Sequence, residues 1–383
     1  MARGAIPVRG RGFYRFLATS QSRRARKVTG DRPGSSEAAG GPPGAALCQS
    51  REPGPLPWRG GNSTGREAII SASMATEIPT DPASVPAVEA SSAAGRLAWW
   101  VRMVSAVPLP ALYGFASFLG WLATSVFPHR EHVVRENLTK AFPELDEPGL
   151  KALMRRYYQG FADMLVEVIK SATMKPEEIV SRVSIVNLEA ARSLLAQGKS
   201  VLLVAAHQCN WEWMLLGLSL ELGYPLDAAY KPLVDSWAER EMKKLRSRFG
   251  CRLIPAKGLL PDMLKRRDVV RAVAMVADQE PTTSERKHWT RFLNRDTAFY
   301  MGPEEISRVT RLPVFFIEMR RIRRGYYEME FKPLLKVGET LPPGELTERY
   351  ARLVEAQIRS APPDWPWSHK RWKLKKNLYT KSG

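Results

Sequence analysis

Val201-Leu202-Leu203-Val204-Ala205-Ala206-His207-Gln208-Cys209-Asn210-Trp211-Glu212-Trp213 is the stretch on which the reading of this chain turns. An apolar, β-branched run has the composition of a strand buried on both faces. It stops at a histidine, and a helix-like segment follows. On one continuous helix His207 and Glu212 would lie about 140° apart. They can meet only if His207 sits in the turn and Glu212 in the helix's first turn, where the N-terminus favours a carboxylate and a developing oxyanion. This makes His207 a candidate general base, with Glu212 accepting its other ring N–H and fixing the tautomer. Asn210 is placed to cap the helix or hold the loop.

Outward from this core, strands and helices alternate. Strands are expected at 200–206, 226–230, 252–254 and 269–276, with late, antiparallel strands at 314–320 and 326–333. Helices are expected at 212–222, 237–249, 260–265, 302–310 and 346–359, with Gly250 ending the second of them. Region 128–175 is helical, with Leu150, Leu153, Met154, Tyr157, Phe161 and Leu165 at core spacing. The expected fold class is α/β, a mixed and mostly parallel sheet flanked by helices. Ligands of such sheets bind at strand carboxyl ends. That is where Lys231 follows the second strand and where Asp278 and Gln279 follow the fourth.

The N-terminal third has a different character. Residues 1–73 contain 11 Arg and one Lys amid Gly, Pro and Ser, without periodicity. Such a segment buries too little apolar surface to fold. Residues 1–95 read as a disordered leader, and translation is expected to start at Met74. From Met103 to Phe127 run 25 residues without a charge, long enough for a bilayer span. Pro108 and Pro110 interrupt that run near its start, and Trp99, Trp100 and Trp121 suit the interfacial belt. Residues 96–127 are therefore expected to be a membrane-anchoring helix and 128–383 a catalytic domain. The aromatic and basic ending around Trp365–Lys376 suits a headgroup-level anchor.

The chain carries a net charge of +19, which seeks a polyanion such as nucleic acid, an anionic membrane or an acidic protein. The uncharged span favours the membrane over nucleic acid. Three cysteines make no disulfide framework and suit a reducing compartment. Cys209, beside His207, has no other activating base, so direct transfer is favoured over a thiol nucleophile. His129 and His132 have ligand-like spacing but no acid or Cys cluster to complete a metal site. There is no Walker A loop and no dinucleotide fingerprint.

Five ordered blocks resemble the lipid A late acyltransferase family, the lauroyl and myristoyl transferases within the H-x4-D/E glycerolipid acyltransferase-like group. They are Arg135-Glu136-Asn137-Leu138 with Ala141-Phe142-Pro143, then Asn210-Trp211-Glu212 after His207, then Tyr230-Lys231-Pro232, then Asp278-Gln279, then Trp367-Ser368-His369-Lys370-Arg371-Trp372. The sequence departs from the family at Gln208-Cys209, where many relatives end in Gly, and at Lys231, where Arg is common and grips phosphate bidentately. The resemblance implies transfer of a fatty acyl chain from acyl carrier protein to a hydroxyl of a lipid A precursor. It implies His207 and Glu212 as catalytic, and Asn210, Lys231, Asp278 and Gln279 as substrate-binding. No metal or cofactor is expected beyond the acyl-carrier donor. The expected partners are the carrier protein, an anionic lipid acceptor and the inner membrane, with the catalytic domain on its cytoplasmic face. Another membrane lipid as acceptor, or hydrolysis of the thioester, would use the same motif.

Overall fold

Every residue of β2 (Val201–Ala205) is buried, as a central strand covered on both faces requires. Its alternate residues feed two cores. Leu202 and Val204 join one, and Val201, Leu203 and Ala205 the other, the period of two expected of a strand. The computed structural model describes residues 97–125 and 129–376. The expectations of a leader at 1–95 and a start at Met74 fall outside the described residues.

Seven strands form the sheet in the order β1-β9-β8-β2-β5-β3-β4. They are β1 (Val183–Val186), β2, β3 (Leu226–Tyr230), β4 (Arg252–Pro255), β5 (Ala272–Val276), β8 (Val314–Arg323) and β9 (Tyr326–Leu335). β8, β2, β5, β3 and β4 are mutually parallel. β9 turns back antiparallel to β8, and β1 lies parallel to β9. A separate hairpin joins β6 (Lys287–Phe292) to β7 (Arg295–Tyr300). The mixed, mostly parallel sheet is the architecture expected from the alternation of apolar runs.

The helices are α1 (Trp99–Ala106), α2 (Leu109–Ser125), α3 (Glu131–Ala141), α4 (Glu147–Lys170), α5 (Pro176–Arg182), α6 (Leu188–Ala196), α7 (Trp211–Glu221), α8 (Ser236–Arg246), α9 (Leu259–Lys265), α10 (Gly302–Thr310) and α11 (Glu345–Ser360). The long α4 serves both cores. Leu150, Leu153, Met154, Tyr157 and Tyr158 enter the first, Ala162 and Val166 the second. Asp146 caps it by accepting from the Gly149 amide at 2.8 Å. The residues from Phe142 to Asp146 separate it from α3, so the helical region at 128–175 is not one rod.

Three strands escape the sequence pattern. β1 is a short edge strand. The β6–β7 turn places Leu293 and Asn294 at φ 48° and 62°, a two-residue turn with both residues left-handed. Asn tolerates that region, whereas Leu seldom enters it, so the pair gives a poor turn signal. Leu293 accepts the conformation while fully buried in the first core.

Two expectations are corrected. The span at 96–127 is not one helix. α1 and α2 are bent by 101° at a break of a few residues, and no single described helix is long and apolar enough to cross a membrane. Pro108 has no N–H to continue α1. Lys170 Nζ, donating to Ser105 O at 2.9 Å and Val107 O at 3.1 Å, holds the carbonyls the break exposes. The aromatic and basic ending is not a surface anchor either. Trp365, Trp367 and Arg371 are 2%, 0% and 1% exposed, because their polar groups find partners inside the domain.

Phe316 of β8 is fully buried, with its ring 5.9 Å from that of Tyr350 on α11. Phe316→Ala is expected to destabilise the domain by about 3–5 kcal/mol, read as a lowered denaturant midpoint. A loss below about 1 kcal/mol would mean that sheet and α11 are not packed as described.

Candidate active site

Strand register brings the site together. Ala205 of β2 lies opposite Val276 of β5, so two residues beyond each strand His207 and Asp278 emerge as neighbours at the carboxyl edge. His207 Nδ1 lies 2.6 Å from Asp278 Oδ1. The backbone N–H of His207 donates to Oδ2 at 3.1 Å, and Trp365 Nε1 donates to the same oxygen at 2.9 Å. Burial opposes ionisation of this carboxyl, yet the His207 charge and these donors outweigh it and hold the group at about 2. An ionised carboxylate only accepts, so Nδ1 carries the proton and Nε2 presents its lone pair. The His207 side chain is 15% exposed against 1% for Asp278, so the ring is reachable and its partner is sealed. Gln279 Nε2 lies 3.4 Å from His207 Nε2, beside the lone pair.

Glu212 does not meet His207. It is buried in the first turn of α7, where Arg246 of α8 holds it through two bonds, Nε to Oε2 at 2.8 Å and Nη2 to Oε1 at 2.5 Å. Trp211 Nε1 donates to Oε1 at 3.1 Å, and the Trp211 ring lies edge-on to His207 with centroids 5.2 Å apart. The expected His207–Glu212 contact is thus replaced by His207–Asp278. A planar guanidinium satisfies both carboxylate oxygens, which one imidazole N–H cannot. Glu212 reaches His207 only through the indole of Trp211.

Asn210 is likewise turned inward rather than toward a substrate. It is fully buried. Its Oδ1 accepts from Trp213 N at 3.0 Å, capping α7, and its Nδ2 donates to Glu167 Oε2 at 2.8 Å. Glu167 of α4 also accepts from Tyr113 of α2 at 2.7 Å and Tyr327 of β9 at 2.6 Å. Burial outweighs these donors and raises its carboxyl above the ordinary range. Neither Glu167 nor Arg246 stands out in sequence, since each is one charge on an amphipathic helix.

Cys209 has φ 54°, the left-handed region glycine prefers, which accounts for a Gly at this place in relatives. Its thiol is buried, donates to Met319 O at 3.5 Å, and is pushed well up by burial. That is the reverse of an activated nucleophile. Lys231 is exposed just past β3, on the same carboxyl edge. β5 lies between β3 and β2, so two strand spacings, about 10 Å, separate the strand of Lys231 from that of His207. Among the described residues no group of three or more His, Cys, Asp or Glu is arranged to hold a metal ion.

Cys209→Gly is expected to keep turnover within about threefold, because it removes a side chain from a left-handed position; a hundredfold loss would restore the thiol to the chemistry. For Asp278 the folded value of about 2 lies below the ordinary 3.8. Its ionisation therefore contributes stability above about pH 4, and that contribution, on the order of 2 kcal/mol, is lost as pH falls from 4 toward 2. Denaturant midpoints of Asp278→Asn should fall less steeply than wild type across that window; parallel slopes would contradict the assignment.

The family model described as bacterial lipid A biosynthesis acyltransferase matches residues 90–374. The lipid A biosynthesis lauroyltransferase of Escherichia coli (strain K12) is 25% identical over 293 residues, covering 71% of this chain and 89% of that protein. The family match takes in both central strands, His207, Asp278 and the buried C-terminal segment, and with most of its length so covered this chain belongs to the bacterial lipid A biosynthesis acyltransferase family.

Proposed function

We propose that this chain transfers a fatty acyl group from the thioester of an acyl carrier protein to a hydroxyl of a lipid A precursor, with His207 as general base. The carrying observation is the His207–Asp278 pair at the carboxyl edge of β2 and β5, in a chain of this family. Asp278 holds the Nδ1–H tautomer, and Nε2 takes the proton of the acceptor hydroxyl as its oxygen attacks the thioester carbonyl. Collapse of the tetrahedral intermediate breaks the carbon–sulfur bond, and the carrier thiol leaves with the proton that His207 returns. The Gln279 amide, beside Nε2, orients the hydroxyl. Glu212 shapes the site indirectly, through Arg246 and Trp211. None of these steps calls for a metal or a further cofactor.

The acceptor reaches this edge from a membrane in the same proposal. Trp99, Met103, Phe115, Phe118 and Trp121 of the bent pair α1–α2 are each more than half exposed, and such an apolar surface suits a lipid interface. The proposed setting is the bacterial inner membrane, with the basic domain on its cytoplasmic face, and Lys231 on the acceptor's phosphate or on the carrier's prosthetic group.

Mass spectrometry of lipid A from a Gram-negative host lacking its own late acyltransferases, expressing the full chain, tests this. One added acyl mass is expected, absent with His207→Ala and reduced with Asp278→Asn, each costing about 10²–10⁴ in rate. An unchanged lipid A from a well-expressed protein would move the reaction to another lipid acceptor or to thioester hydrolysis. Full activity of His207→Ala would remove the base.

A further inference from the structure

The C-terminal segment from Trp365 to Leu374 lies against the far side of Asp278 from His207. Trp365 donates to the Asp278 carboxylate and Arg371 Nε donates to the Asp278 backbone carbonyl at 2.7 Å. The same guanidinium donates through Nη2 to Ala298 O of β7 at 2.7 Å and lies 4.9 Å from the Phe299 ring. Glu280 accepts from the amides of Lys373 and Leu374 at 2.5 and 2.7 Å. The loop that carries Asp278, Gln279 and Glu280 is thus pinned at side chain, backbone and exit by one segment.

That segment is itself held from the other end of the domain. Asn137 of α3 donates to Trp367 O at 2.9 Å and His369 O at 3.1 Å. Tyr157 accepts from Ser368 N at 3.1 Å, and Arg130 donates to Ser368 O at 3.2 Å. Two blocks far apart in sequence, Arg135-Glu136-Asn137-Leu138 and Trp367-Ser368-His369-Lys370-Arg371-Trp372, therefore interlock behind the catalytic pair. Burying a guanidinium costs several kcal/mol, and burial depresses Arg371 to about 10. A segment serving only to fill the core would do so at lower cost with an apolar side chain.

We infer that Trp365 and Arg371 are positioning residues that fix the orientation and the charge of Asp278, and through it the basicity of His207 Nε2. The inference rests on His207 acting as the base. The Trp365 N–H draws negative charge toward Oδ2, away from the oxygen that faces His207. Without that donor Asp278 stabilises the imidazolium more strongly, so the neutral base forms at higher pH.

The titratable neighbours of the pair keep their charge over the assay range. His369, on the same segment, is depressed by burial to about 4 and stays neutral. Tyr350 of α11 donates to Ala205 O at 2.8 Å and accepts from Ala277 N at 3.3 Å, and burial raises its hydroxyl. Glu280 is raised by burial but held by its two amides. Arg371 and Lys373 supply positive charge, and Trp211 is neutral.

The test is the pH profile of kcat/KM for acyl transfer by full-length Trp365→Phe, measured beside wild type and His207→Ala. The phenylalanine keeps a ring against Trp367 and Phe292 and removes the donor. The acid limb is expected to move up by about half a pH unit or more, since losing a bond to the charged form shifts the balance between the two groups. A limb that stays in place while the rate falls would overturn the inference and leave the indole a packing role. Should Trp365→Phe fold poorly, site-specific benzothienylalanine at 365 keeps the bicyclic shape and replaces the N–H by sulfur; the same shift is expected, and its absence overturns the inference. An active His207→Ala would instead defeat the base assignment, so the two failures are distinct.

Discussion

A carboxylate sealed from water at the end of β5 must be matched by donors, because stranding a charge in a protein interior costs several kcal/mol. Asp278 is matched by His207 through ring and backbone, and by Trp365. Each donor imposes an architectural condition. The histidine demands that β2 and β5 be adjacent and in register. The indole demands that the C-terminal segment return under the sheet. The bond from Arg371 to the Asp278 carbonyl demands that β7 close over the same point. The central sheet, the hairpin and the C-terminal segment are consequences of satisfying one charge as much as of burying apolar surface.

Helix α4 supplies the second organising contact. Its Glu167 joins Tyr113 of α2, Tyr327 of β9 and Asn210 at the start of α7. The helix with the exposed apolar face, α2, and the loop bearing His207 are therefore linked through one carboxylate. Trp213 Nε1 adds a bond to Glu167 O at 3.0 Å, so the first turn of α7 is tied to α4 by both side chain and backbone.

Much of this was legible in the sequence, for reasons that differ by element. β2 and β5 announce themselves because strands covered on both faces read as continuous apolar runs. β1 and the β6–β7 hairpin do not, because half-buried short strands carry mixed residues and Leu293 sits where a turn residue would be expected. His207 and Asp278 were both identifiable as strand-end groups. Their pairing was not, because strand order is a tertiary property and nothing local tells that β5 lies beside β2. The C-terminal segment misled for a related reason. Tryptophan and arginine compose an interfacial anchor and a buried hydrogen-bonded strap equally well, and only the location of acceptors distinguishes them.

The same reasoning changes what the spacing from His207 to Glu212 means. The spacing does not place an acid against an imidazole here. It places His207 at the strand edge, uses Cys209 as a left-handed turn residue and Asn210 as a helix cap, and so starts α7 at Trp211. Glu212 then falls in the first turn, near the helix's positive end, where it fixes Arg246 on one side and the Trp211 indole on the other. With that indole edge-on to the His207 ring, the histidine is confined between an aromatic wall set by Glu212 and a carboxylate set by Trp365 and Arg371. The motif's acid governs where the ring can lie, and Asp278 governs which nitrogen holds the proton.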